Sequence, residues 1–119
     1  MSENQVPQRF IDRLELAIRR RGTPVLVGID PHLDLLPPNM FMAEVENRWL
    51  LPRGKLAETV KVFCAGVLDV VASLVPIVKF QLAFFEQLGP EGMVALLELV
   101  GRARRSGLLV ILDGKRCDI

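Results

Sequence analysis

Met93-Val-Ala-Leu-Leu-Glu-Leu-Val-Gly-Arg-Ala-Arg-Arg-Ser-Gly-Leu-Leu-Val-Ile-Leu-Asp113 reads as a helix followed directly by a buried strand. Met93, Leu96, Leu97 and Val100 recur at the spacing of one helical face, and Glu98 stands four residues before Arg102, the spacing of an intrahelical ion pair. Arg102, Arg104 and Arg105 suit the negative end of a helix dipole, and Gly107 suits the left-handed residue that closes a helix. Gly89-Pro90 marks the start. Leu108 to Asp113 then runs apolar without alternation, as a strand covered on both faces does.

The same unit stands upstream. Val60, Phe63, Cys64, Val67, Leu68 and Val71 predict a helix from about Leu56 to Leu74, and Pro76 ends it and opens a strand at Ile77 to Gln81. Before these, Ile11, Leu14 and Ile18 form a stripe on a helix over residues 8 to 21, with Arg19 to Arg21 in its last turn and Gly22 after it. Pro24-Val-Leu-Val-Gly-Ile-Asp30 is the first strand. Residues 31 to 54 hold four of the eight prolines and no sustained period, so they form a long connection, with a short helix near Phe41 to Trp49.

Helix, strand, then helix and strand twice is an α/β pattern whose helices serve as right-handed crossovers in a parallel sheet. Three apolar parallel strands cannot cover their own faces and edges. A (β/α)8 TIM barrel needs about 250 residues, so residues 1–119 are expected to be its N-terminal three-strand portion, one partial domain with the remainder missing. The end of the chain directly after a charged motif agrees with that expectation.

Composition excludes several classes. Half the residues are apolar and 24% are charged, which suits a globular core. Fifteen basic residues against fourteen acidic ones leave a net charge of +1, giving no bulk attraction to nucleic acid or an anionic membrane. The start, MSENQVPQRF, has no apolar core of a secretory signal, so a cytoplasmic protein is expected. The most apolar stretch, Val62 to Val78, is too short to span a membrane and contains Asp69 and Pro76. Cys64 and Cys117 have neither disulfide-framework nor metal-ligand spacing and read as free thiols.

The chemistry lies in Asp113-Gly-Lys-Arg-Cys-Asp-Ile119. Residues two apart on a strand share a face, so Leu109, Ile111, Asp113 and Lys115 point one way, while Val110 and Leu112 face the helix layer. A lone acid or lysine at a strand end is ordinarily a solvated ion pair. Here Lys79 lies within an apolar strand, where an ammonium needs a partner, and Asp30 ends the first strand. The C-terminal strand ends form the ligand face of parallel α/β folds, and Asp30, Lys79, Asp113 and Lys115 are all expected there. Asp118 falls past the strand end. His32, beside Pro31, reads as a local hydrogen-bonding group, Asp34 as a turn residue and Arg116 as exposed; Gln81, Phe84 and Phe85 are expected to pack beneath the site, and the role of Glu86 is open.

Asp113-x-Lys-x-x-Asp-Ile119, with Gly28-Ile-Asp-Pro31 and Val78-Lys-Phe80 before it in matching order, resembles orotidine 5'-phosphate decarboxylase of the longer bacterial type, from Phe10 onward. Cys117 departs from the small residue usual there, and the Gly-Ser-Thr stretch, later strands and phosphate-gripping Arg loop of that family are not in this sequence. The resemblance implies decarboxylation of orotidine 5'-phosphate to UMP, in pyrimidine biosynthesis, without metal or organic cofactor. It assigns catalysis to Lys115, Asp113 and Asp118, ribose binding to Asp30 and Lys79, and Asp118 to the active site of the partner in a homodimer. The 119-residue chain alone is expected to be inactive and oligomeric or aggregated.

Two alternatives stand beside this reading. The sister enzymes 3-keto-L-gulonate 6-phosphate decarboxylase and hexulose 6-phosphate synthase share the Asp-x-Lys-x-x-Asp motif but use Mg2+ and carry Glu where Lys79 stands, and a cation there repels a metal. A non-catalytic remnant is the other; the intact acid and lysine positions argue against long decay.

Overall fold

The computed structural model describes residues 9–41 and 46–115. It contains helix α1 (Phe10–Arg21), strand β1 (Leu26–Ile29), helix α2 (Arg53–Val71), strand β2 (Ile77–Gln81), the short helix α3 (Ala83–Glu86), helix α4 (Pro90–Arg105) and strand β3 (Leu109–Asp113). The strands form one parallel sheet in the order β1-β2-β3.

Helix ends follow their local chemistry. Gly22 adopts φ 75° and its N–H donates to the Ile18 carbonyl, closing α1. At the end of α4, Gly107 (φ 86°) donates to the Arg104 carbonyl and Leu108 to the Ala103 carbonyl, a Schellman closure that drops the chain straight into β3 with Leu108 buried. Pro76 lies just outside β2, yet its carbonyl accepts from the Leu109 N–H at 3.0 Å, so it extends the ladder on the side that needs no donor.

Two expectations are corrected. Helix α2 spans Arg53–Val71 and starts ahead of Leu56, because Pro52 serves as its N-cap and Gly54 sits in the first turn, where N–H groups have no intrahelical partner. The long connection has 3-10 turns at Leu33–Leu35, Pro38–Met40 and Arg48–Leu50, and the short helix expected near Phe41 to Trp49 falls largely on residues 42–45, outside the described residues. The turns are tied by Arg48, whose guanidinium donates to the Leu33 and Leu36 carbonyls at 2.7 Å each and stacks 4.3 Å from the Phe41 ring. The second correction concerns charge. Glu98 and Arg102 do not pair with each other; Glu98 meets Lys61 at 2.8 Å and Arg102 grips both Asp69 oxygens at 2.8–2.9 Å. Both bonds cross from α4 to α2 and fix the two helices side by side.

The core fills the space between α2, α4 and one sheet face, centred on Val60, Cys64, Leu68, Val78, Phe80, Phe85 and Leu99. Burial pushes the Cys64 thiol up to about 12, so it remains protonated and inert. Register places Val110 beside Val78 and Leu112 beside Phe80, which puts these side chains on the helix side as expected. Leu112 is nonetheless 51% exposed, being on an edge strand. Helix α1 buries no residue, and Ile11 is 58% exposed. Its stripe is therefore covered only in part by the described residues, with Leu14 and Ile18 half-buried; α1 lines a cleft with Gly107 and Leu109, and Arg21 donates to the Ala72 carbonyl. No helix among the described residues is long and apolar enough to cross a membrane.

Candidate active site

The opposite sheet face carries the polar groups. Gly28 pairs with Lys79 and Lys79 with Ile111; Gln81 pairs with Asp113. Side chains alternate along a strand, so Lys79, Gln81, Ile111 and Asp113 share this face, and Asp30, one residue past β1, joins them two residues beyond Gly28. A Cβ at Gly28 would lie 3.6 Å from the Asp30 Oδ1, which places that carboxylate over the glycine. Lys79 is the middle residue of β2 rather than its end, and its long stem carries the ammonium toward the strand ends.

Asp113 is the hub. Its Oδ2 accepts from the Lys115 ammonium and lies 3.5 Å from the Lys79 Nζ, while its Oδ1 accepts the Lys115 backbone N–H at 3.0 Å. The backbone carbonyl of Asp113 accepts from the Leu82 N–H at 3.0 Å, which pins the end of β3 to the residue after β2. The carboxyl is held below its ordinary value of 3.8, first by the side-chain bond from Lys115, then by the Lys115 N–H, with smaller help from the charges of Lys115 and Lys79. Two ammonium groups thus converge on one carboxylate, and Lys115 is the more exposed of the two.

Asp30 makes no ion pair with Lys79 among the described residues, so the sequence-predicted set is joined only in part: Lys79, Asp113 and Lys115 form one linked group, with Asp30 across the face. Asp118, like Arg116 and Cys117, lies outside the described residues. The His32 Nδ1 is 3.0 Å from the Asp30 carbonyl, and its ring packs 4.4 Å from Phe84, a local anchor for the loop as expected. Phe84 and Phe85 are buried in α3, which periodicity missed because four residues are too few to show a period.

A depressed carboxyl pKa has a consequence for stability. The contribution of ionised Asp113 is fully present above its unfolded value and is lost as pH falls through the lower folded value. Asp113→Asn is expected to melt below the parent at pH 7, with the gap closing as the pH drops below 3.8, in thermal melts run side by side.

Helices on one side of a parallel sheet and a charged cluster at its strand ends are the arrangement of a portion of an α/β barrel. The chain is 46% identical over 110 residues to the orotidine 5'-phosphate decarboxylase of Rhodopirellula baltica, covering 92% of this chain and 35% of that protein. With the Myxococcus xanthus orotidine 5'-phosphate decarboxylase the identity is 42% over 113 residues, covering 95% and 35%. Among solved structures, an assigned orotidine 5'-phosphate decarboxylase from Streptomyces avermitilis superposes with a TM-score of 0.73 at 34% identity, over 100% of this chain and 37% of that one. An assigned orotidine-monophosphate decarboxylase from Toxoplasma gondii gives 0.69 at 29%, over 93% and 32%. No family model matches the chain. By sequence and structure the chain is a relative of the orotidine 5'-phosphate decarboxylases, spans about a third of the length of those it matches, and has the fold of three strands of their (β/α)8 barrel.

Proposed function

We propose that this chain is the N-terminal portion of a protein that removes CO2 from orotidine 5'-phosphate to give UMP, with no metal or organic cofactor. The observation that carries the reading is the Lys79–Asp113–Lys115 group on the open sheet face, in a chain so similar to those decarboxylases. In this reaction the bond between C6 and the carboxylate carbon breaks, CO2 departs, and the electron pair left on C6 takes a proton. Lys115 stabilises that pair with its ammonium and then donates the proton, its amine regaining one from solvent. Asp113 holds the ammonium in place and lies beside the substrate carboxylate, while Lys79 and Asp30 bind ribose hydroxyls. A chain limited to these three strands has no phosphate-binding loop and is inactive alone.

The same reading makes the complete protein a cytoplasmic homodimer in which Asp118 serves the partner's site. Mixing Asp118→Ala subunits with Lys115→Ala subunits should restore part of the activity, because one of the two sites in the heterodimer is free of both changes. Verified heterodimers with no recovered activity would place Asp118 in its own subunit's site. Substrate choice tests the reading as a whole: the complete protein should consume orotidine 5'-phosphate and leave 3-keto-L-gulonate 6-phosphate untouched, and the reverse preference would overturn it.

A further inference from the structure

Gln81 is one of two buried polar residues among the described ones and the only one on the site face; the other, Thr59, lies in α2, where its hydroxyl bonds the Lys55 carbonyl. It is 4% exposed, whereas the side chains of Lys79 and Asp113 on the same face are 32% and 16% exposed. No buried side-chain polar atom among the described residues lacks a partner, so the amide is held. Its register partner is Asp113 on one side, and continuing the pairing of Ile29 with Phe80 by one residue brings Asp30 to the same level on the other. Neighbouring strands are about 4.8 Å apart, so a neutral amide stands on the strand between the two that carry these acids.

Charge explains why an amide suits this position. A third carboxylate here would crowd Asp30 and Asp113 and compete for the ammonium of Lys79, and a lysine would draw Asp113 away from Lys115. An amide offers donor and acceptor and changes the charge count of neither neighbour. We propose that Gln81 is a positioning residue, which holds the end of β2 at this level and keeps Asp113 committed to Lys79 and Lys115. The proposal rests on the decarboxylase reading only for its kinetic consequence.

The test uses the complete protein with Gln81→Glu, which preserves shape and adds charge, and Gln81→Met, which preserves length and removes the amide. Titration of the Asp113 carboxyl by carbon NMR should move upward by about one pH unit or more in Gln81→Glu, and kcat should fall at least about tenfold in both variants with KM changed less than about threefold. An Asp113 titration unmoved in Gln81→Glu overturns the proposal. If that variant does not fold, Gln81→Met decides: parental kcat overturns the proposal, and a lowered kcat at parental KM upholds it. The titration needs no substrate, so a moved titration in a protein that makes no UMP would sink the decarboxylase reading and leave the positioning role standing.

Discussion

Replacing Lys115 with alanine in the complete protein is expected to lower kcat at least about a hundredfold, the scale for removing one preorganised electrostatic donor. Binding of UMP should weaken far less, because the proposed reading has phosphate and ribose contacts made elsewhere. Lys115 and Asp113 are bonded twice, through the ammonium and the backbone N–H, and the alanine variant retains only the second. Arginine should not rescue the rate, since a guanidinium keeps its proton and presents a wider planar group to the same carboxylate. If the pair were only a structural ion pair, the variant would instead melt earlier and turn over normally in its folded fraction. Measuring kcat and Tm on one preparation separates the two.

Gly92→Ala is expected to destabilise the fold by roughly 3 kcal/mol, the upper range for overpacking a close contact. A Cβ at this position would stand 2.1 Å from the Phe85 carbonyl oxygen and 2.7 Å from the Leu88 Cβ, so α4 could no longer lie against the turn that follows α3. Neither obstacle is the flexible end of a side chain. Because only Leu82 separates Gln81 from α3, and Phe84 of α3 packs on His32, the displacement should reach the site as well. Urea unfolding of the complete protein measures the loss, and a midpoint within about 0.5 kcal/mol of the parent would show that the two helices can separate freely.

What could be read beforehand was whatever local chemistry controls. The closures at Gly22 and Gly107 require a left-handed residue, and glycine stands at both. The strands declared themselves as apolar runs, and parity placed Asp113 on the site face with no knowledge of the sheet. Partners chosen across space were not legible: Glu98 and Arg102 matched an intrahelical pair, yet each found a better-placed opposite charge on α2. The ion pair between Lys79 and Asp113 is of the same kind, since it depends on the register between β2 and β3. The burial of Gln81 matches the expected packing beneath the site, but its place on the strand between those of Asp30 and Asp113 needs that register too. Asp118 owes its assignment to resemblance alone, because it falls past the described end of β3.

On the proposed reading side chains alone carry the decarboxylation, with the ammonium of Lys115 at C6 and the cation of Lys79 where the sister enzymes carry a metal-compatible acid. Conversion of orotidine 5'-phosphate to UMP by the complete protein, assayed before and after exhaustive treatment with a metal chelator, tests it most directly. UMP and CO2 are expected in equal amounts, at an unchanged kcat after chelation. No UMP at all, or UMP formation abolished by the chelator and restored by Mg2+, would contradict it.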